Sequence, residues 1–455
     1  MTSYLFTLSL CGALAAATAG CGVDDILPGD DGDGWGYSDA GPAGGSLPPS
    51  SPPAGATPGG VQDMGLAREL IANHVVPLPE AFVVEGMFSE HDLGLDGEPC
   101  MDVLCLRGAV AVAPTLDGEP AAWMQVGMSS SIDLETFERP SLTLVATVDV
   151  SGSMGWSYST GENEYPTGGE IARALLYDLS DTLGPDDRLA IVTFDSLAHT
   201  VLNVTAGDDQ ETIDAAIASI GSGGDTSIEA GLSLAIDVAS ASGEITDARR
   251  IVLITDAQPN VGATSPSSFE EMAANAAAQD IHLTVIGTGV GLGQDVFASM
   301  SHLRGGNAFS LFDLEDEQTL MTDDWPYMVS PVAFDLALSV EADPGIAVSS
   351  SYGFPGDLDP EEAIGFEVST VFLSKRRGAL LLGLTPASET IGPFNLVTDL
   401  DYATLDGTAE QKHLEVGYQS EPTDERGHYY EQPSVGKTVA LAILVTAMHD
   451  AAELY

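Results

Sequence analysis

The chain has 455 residues, 44% of them hydrophobic, which excludes a wholly disordered polypeptide and leaves room for two or three domains. Its charge is extreme: 69 acidic against 14 basic residues, a formal net charge of −55. That balance argues against nucleic acid and anionic membrane surfaces, which want basic patches, and leaves solubility in salt, divalent-cation association or basic partners.

The elements follow in chain order. "YLFTLSLCGALAAATAG" carries no charge, ends just before Cys21, and is too short for a membrane span, so it reads as an export signal. "TAGC", residues 18–21, resembles a bacterial lipobox, in which Cys21 is lipidated and becomes the mature N-terminus. Thr18 stands where Leu is usual, and no Lys or Arg precedes the apolar run; an ordinary cleavage site before Cys21 is the alternative. The expected location is the bacterial cell envelope, with the membrane touched only through that lipid, or otherwise the secreted fraction. Residues 22–60, rich in Gly, Pro, Ser and Asp, are expected to be a disordered tether. Asp30, Asp31 and Asp33 within it do not make an EF-hand, because the pattern fails at Trp35 and no Glu follows in place.

Residues 61–140 form an N-terminal flank. "VQDMGLARELIANHVV" predicts a short helix broken by Pro77 and Pro79. "LRGAVAVAPTL" and "AAWMQVGMSSSI" predict strands. Cys100 and Cys105 between them predict a small disulfide loop in an exported chain; no His lies nearby to complete a metal site.

From 141 to 328 strands and helices alternate. "SLTLVATVD", "DRLAIVTFD", "RRIVLITD", "IHLTVIGTG" and "NAFSLF" read as strands, each followed by helical patterns such as "GGEIARALLYDLSDTLG", with Ile171, Leu175, Leu179 and Leu183 on one face. Continuous β-branched runs between amphipathic helices predict a doubly wound α/β domain with a parallel sheet covered on both faces. Arg249 and Arg250 are expected to be strand-edge charges. Residues 329–455 predict an antiparallel β region, expected to be a sandwich, and a terminal helix in "SVGKTVALAILVTAMHDAAELY" whose apolar run is short for a membrane span. The β segments on the two sides of the α/β domain can form one domain with that unit inserted.

In an open α/β sheet, ligands bind at the carboxyl ends of strands near the switch point. After the first strand of this unit come Asp149, Ser151 and Ser153 at every second position; after "RRIVLIT" comes Asp256; the loop "GSGGDTS" offers Thr226. Two carboxylates and three hydroxyls suit a hard divalent cation, Mg²⁺ or else Mn²⁺ or Ca²⁺, and leave it near neutral with a position open for another anion. Asp225 beside Thr226 reads as a solvated loop carboxylate.

"DVSGSMG", "GGDTSIEAGL" and "IVLITDAQPN" together resemble the von Willebrand factor A domain with its metal-ion-dependent adhesion site, over about residues 141–328. The resemblance implies that Asp149, Ser151 and Ser153 ligate the metal, that Thr226 does so in some states, and that Asp256 acts directly or through water. The family usually has Gly after that last Asp; here the residue is Ala257. The flanks resemble bacterial secreted or lipid-anchored A-domain proteins. The function expected is capture of a protein partner that presents Asp or Glu to the metal; a metal-stabilised envelope scaffold is the alternative. Catalysis is not expected: the motifs contain no His, "VSGSMG" lacks the first Gly of a nucleophile elbow, and "GVGLGQDV" lacks the G-K-[ST] of a phosphate loop.

Overall fold

The computed structural model describes residues 54–455 except 158, 161–162, 243–247, 290, 355–365 and 389. Cys21, and with it the lipidation reading, lies outside the described residues. The end of the expected tether does not: Ala54–Pro58 (β1) and Gly60–Val61 (β2) are buried strands. β1 is built from small residues because it pairs on both sides within the sheet and the Arg376 backbone crosses close over it. A Cβ on Gly55 would fall 1.8 Å from the Arg376 carbonyl oxygen.

The N-terminal flank continues with helices Gly65–Ala72 (α1) and Val84–Ser89 (α2) and strands Cys105–Val112 (β3) and Ala122–Ser130 (β4). Cys100 and Cys105 are disulfide-bonded. The α/β unit then runs from Leu142–Asp149 (β5) through the small hairpin Ser159–Thr160 (β6) and Asn163–Glu164 (β7) to Gly168–Asp181 (α3). Arg188–Phe194 (β8), Ala198–Ala206 (β9), Gln210–Ala218 (α4), Ile228–Ala241 (α5) and Ala248–Thr255 (β10) follow. Pro266–Ala277 (α6), Ile281–Thr288 (β11), Gln294–Ser301 (α7) and Asn307–Leu311 (β12) come next, then Leu314–Thr319 (α8), a π turn at Leu320–Asp324 and Trp325–Met328 (α9).

The sheet of this unit has the order β2-β12-β11-β10-β5-β8-β9. All its pairings are parallel except β8 with β9, which is antiparallel. The doubly wound expectation holds for the centre and is modified at both edges. β9 was not evident from sequence because it is an edge strand with Leu202 as its one fully buried residue. β2 comes from the segment expected to be tether. Both faces are covered: Leu144, Ala146 and Val148 of β5 pack with α3, while Val145 packs with the helices on the other side. That alternation is the period-2 pleat.

The C-terminal flank adds Pro331–Ala342 (β13), Ile346–Tyr352 (β14), Phe366–Ser374 (β15), Ala379–Pro386 (β16), Phe394–Ala403 (β17), Ala409–Tyr418 (β18) and Tyr429–Tyr430 (β19). These join β1, β3 and β4 in one ten-stranded antiparallel sheet, ordered β14-β16-β4-β1-β15-β13-β17-β18, with β3 on β4 and β19 on β3. Strands from before and after the α/β unit therefore hydrogen-bond directly, and the sheet curls until Gly108 of β3 meets Val416 of β18. The helix Pro433–Glu453 (α10) is long and apolar enough to cross a membrane by length and composition. Val435, Val439, Ala442, Val445 and Met448 of this helix are buried in a core that also holds β3, β4 and β16 residues. Each such large side chain contributes on the order of 1.5–3 kcal/mol by leaving water.

Arg250 corrects an expectation. It is 2% exposed rather than a strand-edge charge. Its Nη1 donates to Thr284 Oγ1 at 2.8 Å and the Gly305 carbonyl at 3.1 Å, and the guanidinium lies 5.5 Å from the centre of the Phe372 ring on β15. Burial lowers its pKa to about 9. The α/β unit is thus seated on the large sheet through a desolvated cation over an aromatic face. Asp63 strengthens the same junction, accepting from the amides of Ser310 at 2.7 Å and Gly65 at 2.8 Å.

Candidate metal site

β5 and β10 are neighbours at the centre of the sheet, and β8 lies on the other side of β5. The chain reverses its direction of sheet growth here, so their carboxyl ends open onto a crevice. Asp149 ends β5 and Asp256 follows β10, which sets the two carboxylates side by side. Asp149 is 1% exposed and Asp256 2%.

Asp149 Oδ1 accepts from the Ser151 amide at 2.9 Å, and Oδ2 accepts from the Thr255 hydroxyl at 2.7 Å. The same hydroxyl accepts the Ala257 amide at 3.0 Å. Ser151 Oγ and Ser153 Oγ lie 3.2 Å apart, and the Ser153 side chain reaches Asp256. Asp256 Oδ1 accepts from the Gln258 amide at 3.2 Å, whereas its Oδ2 is buried with no hydrogen-bond partner. Thr226 is buried; its amide donates to Asn260 Oδ1 at 2.9 Å, and its carbonyl accepts the amides of Asn260 and Val261. Backbone bonds tie the loops together: Gly152 N to Gly224 O at 3.0 Å and Gly223 N to Val150 O at 2.7 Å. Gly223 and Gly224 take φ of 145° and 97°, open to glycine at little cost.

The electrostatics follow from this packing. Burial pushes the Asp149 carboxyl up to about 6, and the neighbouring Asp256 charge pushes the same way. Burial likewise raises Asp256. Two buried carboxylates with hydroxyls as neighbours form an electron-rich pocket whose donor atoms are all oxygen. Ala257 sits at φ 51°, the left-handed conformation that glycine tolerates and that costs an L-residue about 1–2 kcal/mol. The hydrogen bond from its N–H to Thr255 Oγ1 holds that turn closed.

The structure thus brings Asp149, Ser151, Ser153, Thr226 and Asp256 to one end of the sheet. Asp225 is exposed, with its amide donating to Ser196 Oγ at 3.2 Å, and stands outside the cluster. Thr255 and Asn260 were missed by sequence reasoning. Thr255 sits in the apolar strand "IVLIT", where a threonine signals only β-propensity. Asn260 was inside a quoted motif but had no evident acceptor role.

Residues 144–258 match the family described as the von Willebrand factor type A domain. The chain carries a von Willebrand factor A domain. The matched stretch begins on β5 and ends beyond Asp256, so it spans all five candidate ligands of the A domain. Among curated proteins, the uncharacterized protein YfbK of Escherichia coli (strain K12) is 25% identical over 283 residues, covering 61% of this chain. The match takes in 48% of that protein, so the chain spans about half the length of the curated relative. Among solved structures, a von Willebrand factor type A protein from Catenulispora acidiphila is 14% identical with a TM-score of 0.44, covering 72% of this chain and 76% of that one. The ArnB paralog VWA2 from Sulfolobus acidocaldarius is 16% identical with a TM-score of 0.40, covering 75% and 82%.

Proposed function

We propose that the A domain binds a divalent cation, Mg²⁺ or else Mn²⁺ or Ca²⁺, through Asp149, Ser151, Ser153, Thr226 and Asp256, and uses it to capture a protein partner. The observation that carries this is the buried, unpartnered Asp256 Oδ2 beside the buried Asp149 and the serine hydroxyls. An uncompensated carboxylate oxygen there costs stability, and a hard cation removes that cost. The donor set is all oxygen, which fits these ions and not zinc or copper. A cation held there supplies an electrophilic position for an Asp or Glu of the partner. The chain's own part is to hold the ligands. Thr255 fixes the Asp149 carboxylate in one orientation, and Asn260 fixes the backbone of Thr226. Hydroxyls rather than further carboxylates keep the site from saturating the positive charge.

We read this as a binding site and not a catalytic one, because among the described residues the groups that bond the two carboxylates are hydroxyls and backbone amides. The export signal and Cys21 support placement in the cell envelope, anchored by lipid. The test is recovery of partners from envelope extract with and without EDTA. Partners released by EDTA and lost by Asp149→Ala support metal-dependent capture. Partners retained unchanged in EDTA would support a scaffold role instead.

A further inference from the structure

Helix α8 presents its side chains the wrong way round for a packed helix. Its one buried side chain is Glu317, 3% exposed, while Leu314 is 49% exposed. A helix held by hydrophobic burial does the reverse. The Glu317 carboxyl reaches Asp178 of α3, and its Oε1 is buried with no hydrogen-bond partner. Two carboxyl groups in contact repel when both are charged, so this contact holds by sharing a proton.

The surroundings offer nothing in place of that proton. The elements packed against α8 are α3, β12 and the π turn. α3 carries Glu170, Arg173, Tyr177, Asp178 and Asp181, β12 carries no titratable side chain, and the π turn carries Asp323 and Asp324. Only Asp178 acts on Glu317. Arg173 donates instead to the carbonyls of Ile217 and Ile220, and Asp323 and Asp324 pair with Lys375 and Arg376. Burial, then the Asp178 charge, pushes the Glu317 carboxyl up to about 7.

The connection beyond α8 supplies a second arrangement. α8 runs directly into the π turn at Leu320–Asp324, whose hydrogen bonds span one residue more than those of an α-helix. Returning that turn to α-helical winding rotates α8 by about one residue, roughly 100°. Leu314 and Glu317, three residues apart, lie about 60° from each other around the helix. The overwinding therefore carries Glu317 out toward solvent and brings Leu314 round toward α3. The cap of α8, in which Asp313 accepts the amides of Glu315 and Asp316 at 2.8 Å, is local and travels with the helix. α9 keeps its place, because Trp325 and Met328 are buried in the core and Asn307 Nδ2 donates to the Met328 carbonyl at 2.8 Å.

We propose that α8 is a proton-dependent latch. With Glu317 protonated, its O–H donates to Asp178 and the helix lies closed on α3. When that proton passes to water, the two carboxylates repel, the π turn rewinds, and Leu314 takes the buried place of Glu317. The exit of the α/β unit into the large sheet is then fixed below neutral pH and loosened above it. The latch stands apart from the metal reading, since neither carboxyl belongs to the metal cluster.

The test is hydrogen exchange of the whole chain at pH 6 and pH 8, corrected for the intrinsic pH dependence of exchange. Glu317→Gln, Asp178→Asn and Leu314→Ser are measured beside the wild type. Amides of 312–325 in the wild type are expected to exchange about tenfold faster at pH 8, with β10 and β13 unchanged. Tenfold is what proton linkage gives between those pH values for a carboxyl at about 7 when closed and at its model value of 4.5 when released. Glu317→Gln and Asp178→Asn should both stay slow at pH 8, since each replaces one carboxyl by an amide that donates to the other. Leu314→Ser should match the wild type at pH 6 and exchange faster than it at pH 8, because the turned helix then has no side chain to bury. No pH difference in the wild type, or the same difference in Glu317→Gln, overturns the latch. Equal exchange of Leu314→Ser and wild type at pH 8 overturns the turn of the helix.

Discussion

Asp149 carries a charge in a place that penalises charge. It is 1% exposed, its carboxyl is pushed up to about 6 by burial, and it is held by the Ser151 amide and side chain and by the Thr255 hydroxyl. Removing the Thr255 hydroxyl should therefore matter at a distance from any ligand atom. Thr255→Val removes the hydrogen bonds to Asp149 Oδ2 and from the Ala257 amide, and is expected to cost about 1–3 kcal/mol of stability. It should also weaken Mg²⁺ binding about 10- to 100-fold, the usual effect of losing a group that orients a ligand. Denaturant melts and metal titration of the variant check both; unchanged affinity would show that Asp149 needs no orientation. At this scale Asp149, Ser151 and Ser153 stand out as candidates because oxygen side chains at alternate positions after a buried strand have no packing reason, whereas Thr226 and Asp256 stand out only by following a glycine loop and a second buried strand. Thr255 was not legible, since the same residue type is ordinary in a strand interior.

At the scale of elements, legibility tracked burial. β5, β10 and β11 are buried along most of their length and read directly from their apolar runs. β9 and β18 are edge strands with mostly exposed or half-buried residues, so their periodicity is faint. β1 was misread for a different reason: "AGATP" has the composition of a linker, yet close approach of neighbouring backbone is what demands those small residues. Gly55→Val separates the two readings. In a tether it would be silent; here it should destabilise by about 3 kcal/mol or more, measurable as a fall in Tm. A second element-level prediction concerns α8. Glu317 is 3% exposed, with one carboxyl oxygen unpartnered and Asp178 of α3 beside it. Burial, then the Asp178 charge, pushes its pKa up to about 7. The folded state thus holds a proton that the unfolded state releases near pH 4.5, so the stability this group contributes is full below that pH and is lost as pH rises to about 7. Glu317→Gln keeps a neutral donor against Asp178. It should flatten the slope across that window and raise stability at pH 8 by on the order of 1–2 kcal/mol. A slope that persists in the variant would assign the effect to another group.

At the scale of the whole molecule, one sheet is built from both ends of the chain and the A domain is inserted into it. The junction is held by the buried Arg250 over Phe372 and by Asp63 on Ser310. Sequence patterning made the alternation of the A domain plain, and it made the insertion conceivable, but it could not pair strands that lie more than 200 residues apart, such as β4 with β16. Nor could it show that a buried arginine sits between the units, since a charged pair at a strand start ordinarily faces water. The framework places the β5 and β10 carboxyl ends side by side, and the charge of −55 biases the whole surface toward cations. The central claim is that this framework presents a divalent-cation site. Calorimetric titration of Mg²⁺ into the metal-free full chain, beside Asp149→Ala, tests it most directly. The account predicts one site per chain in the wild type, a stability gain of about 2.7 kcal/mol once Mg²⁺ reaches a hundred times its Kd, and neither in the variant. Equal heats and equal melting curves for the two proteins would contradict it.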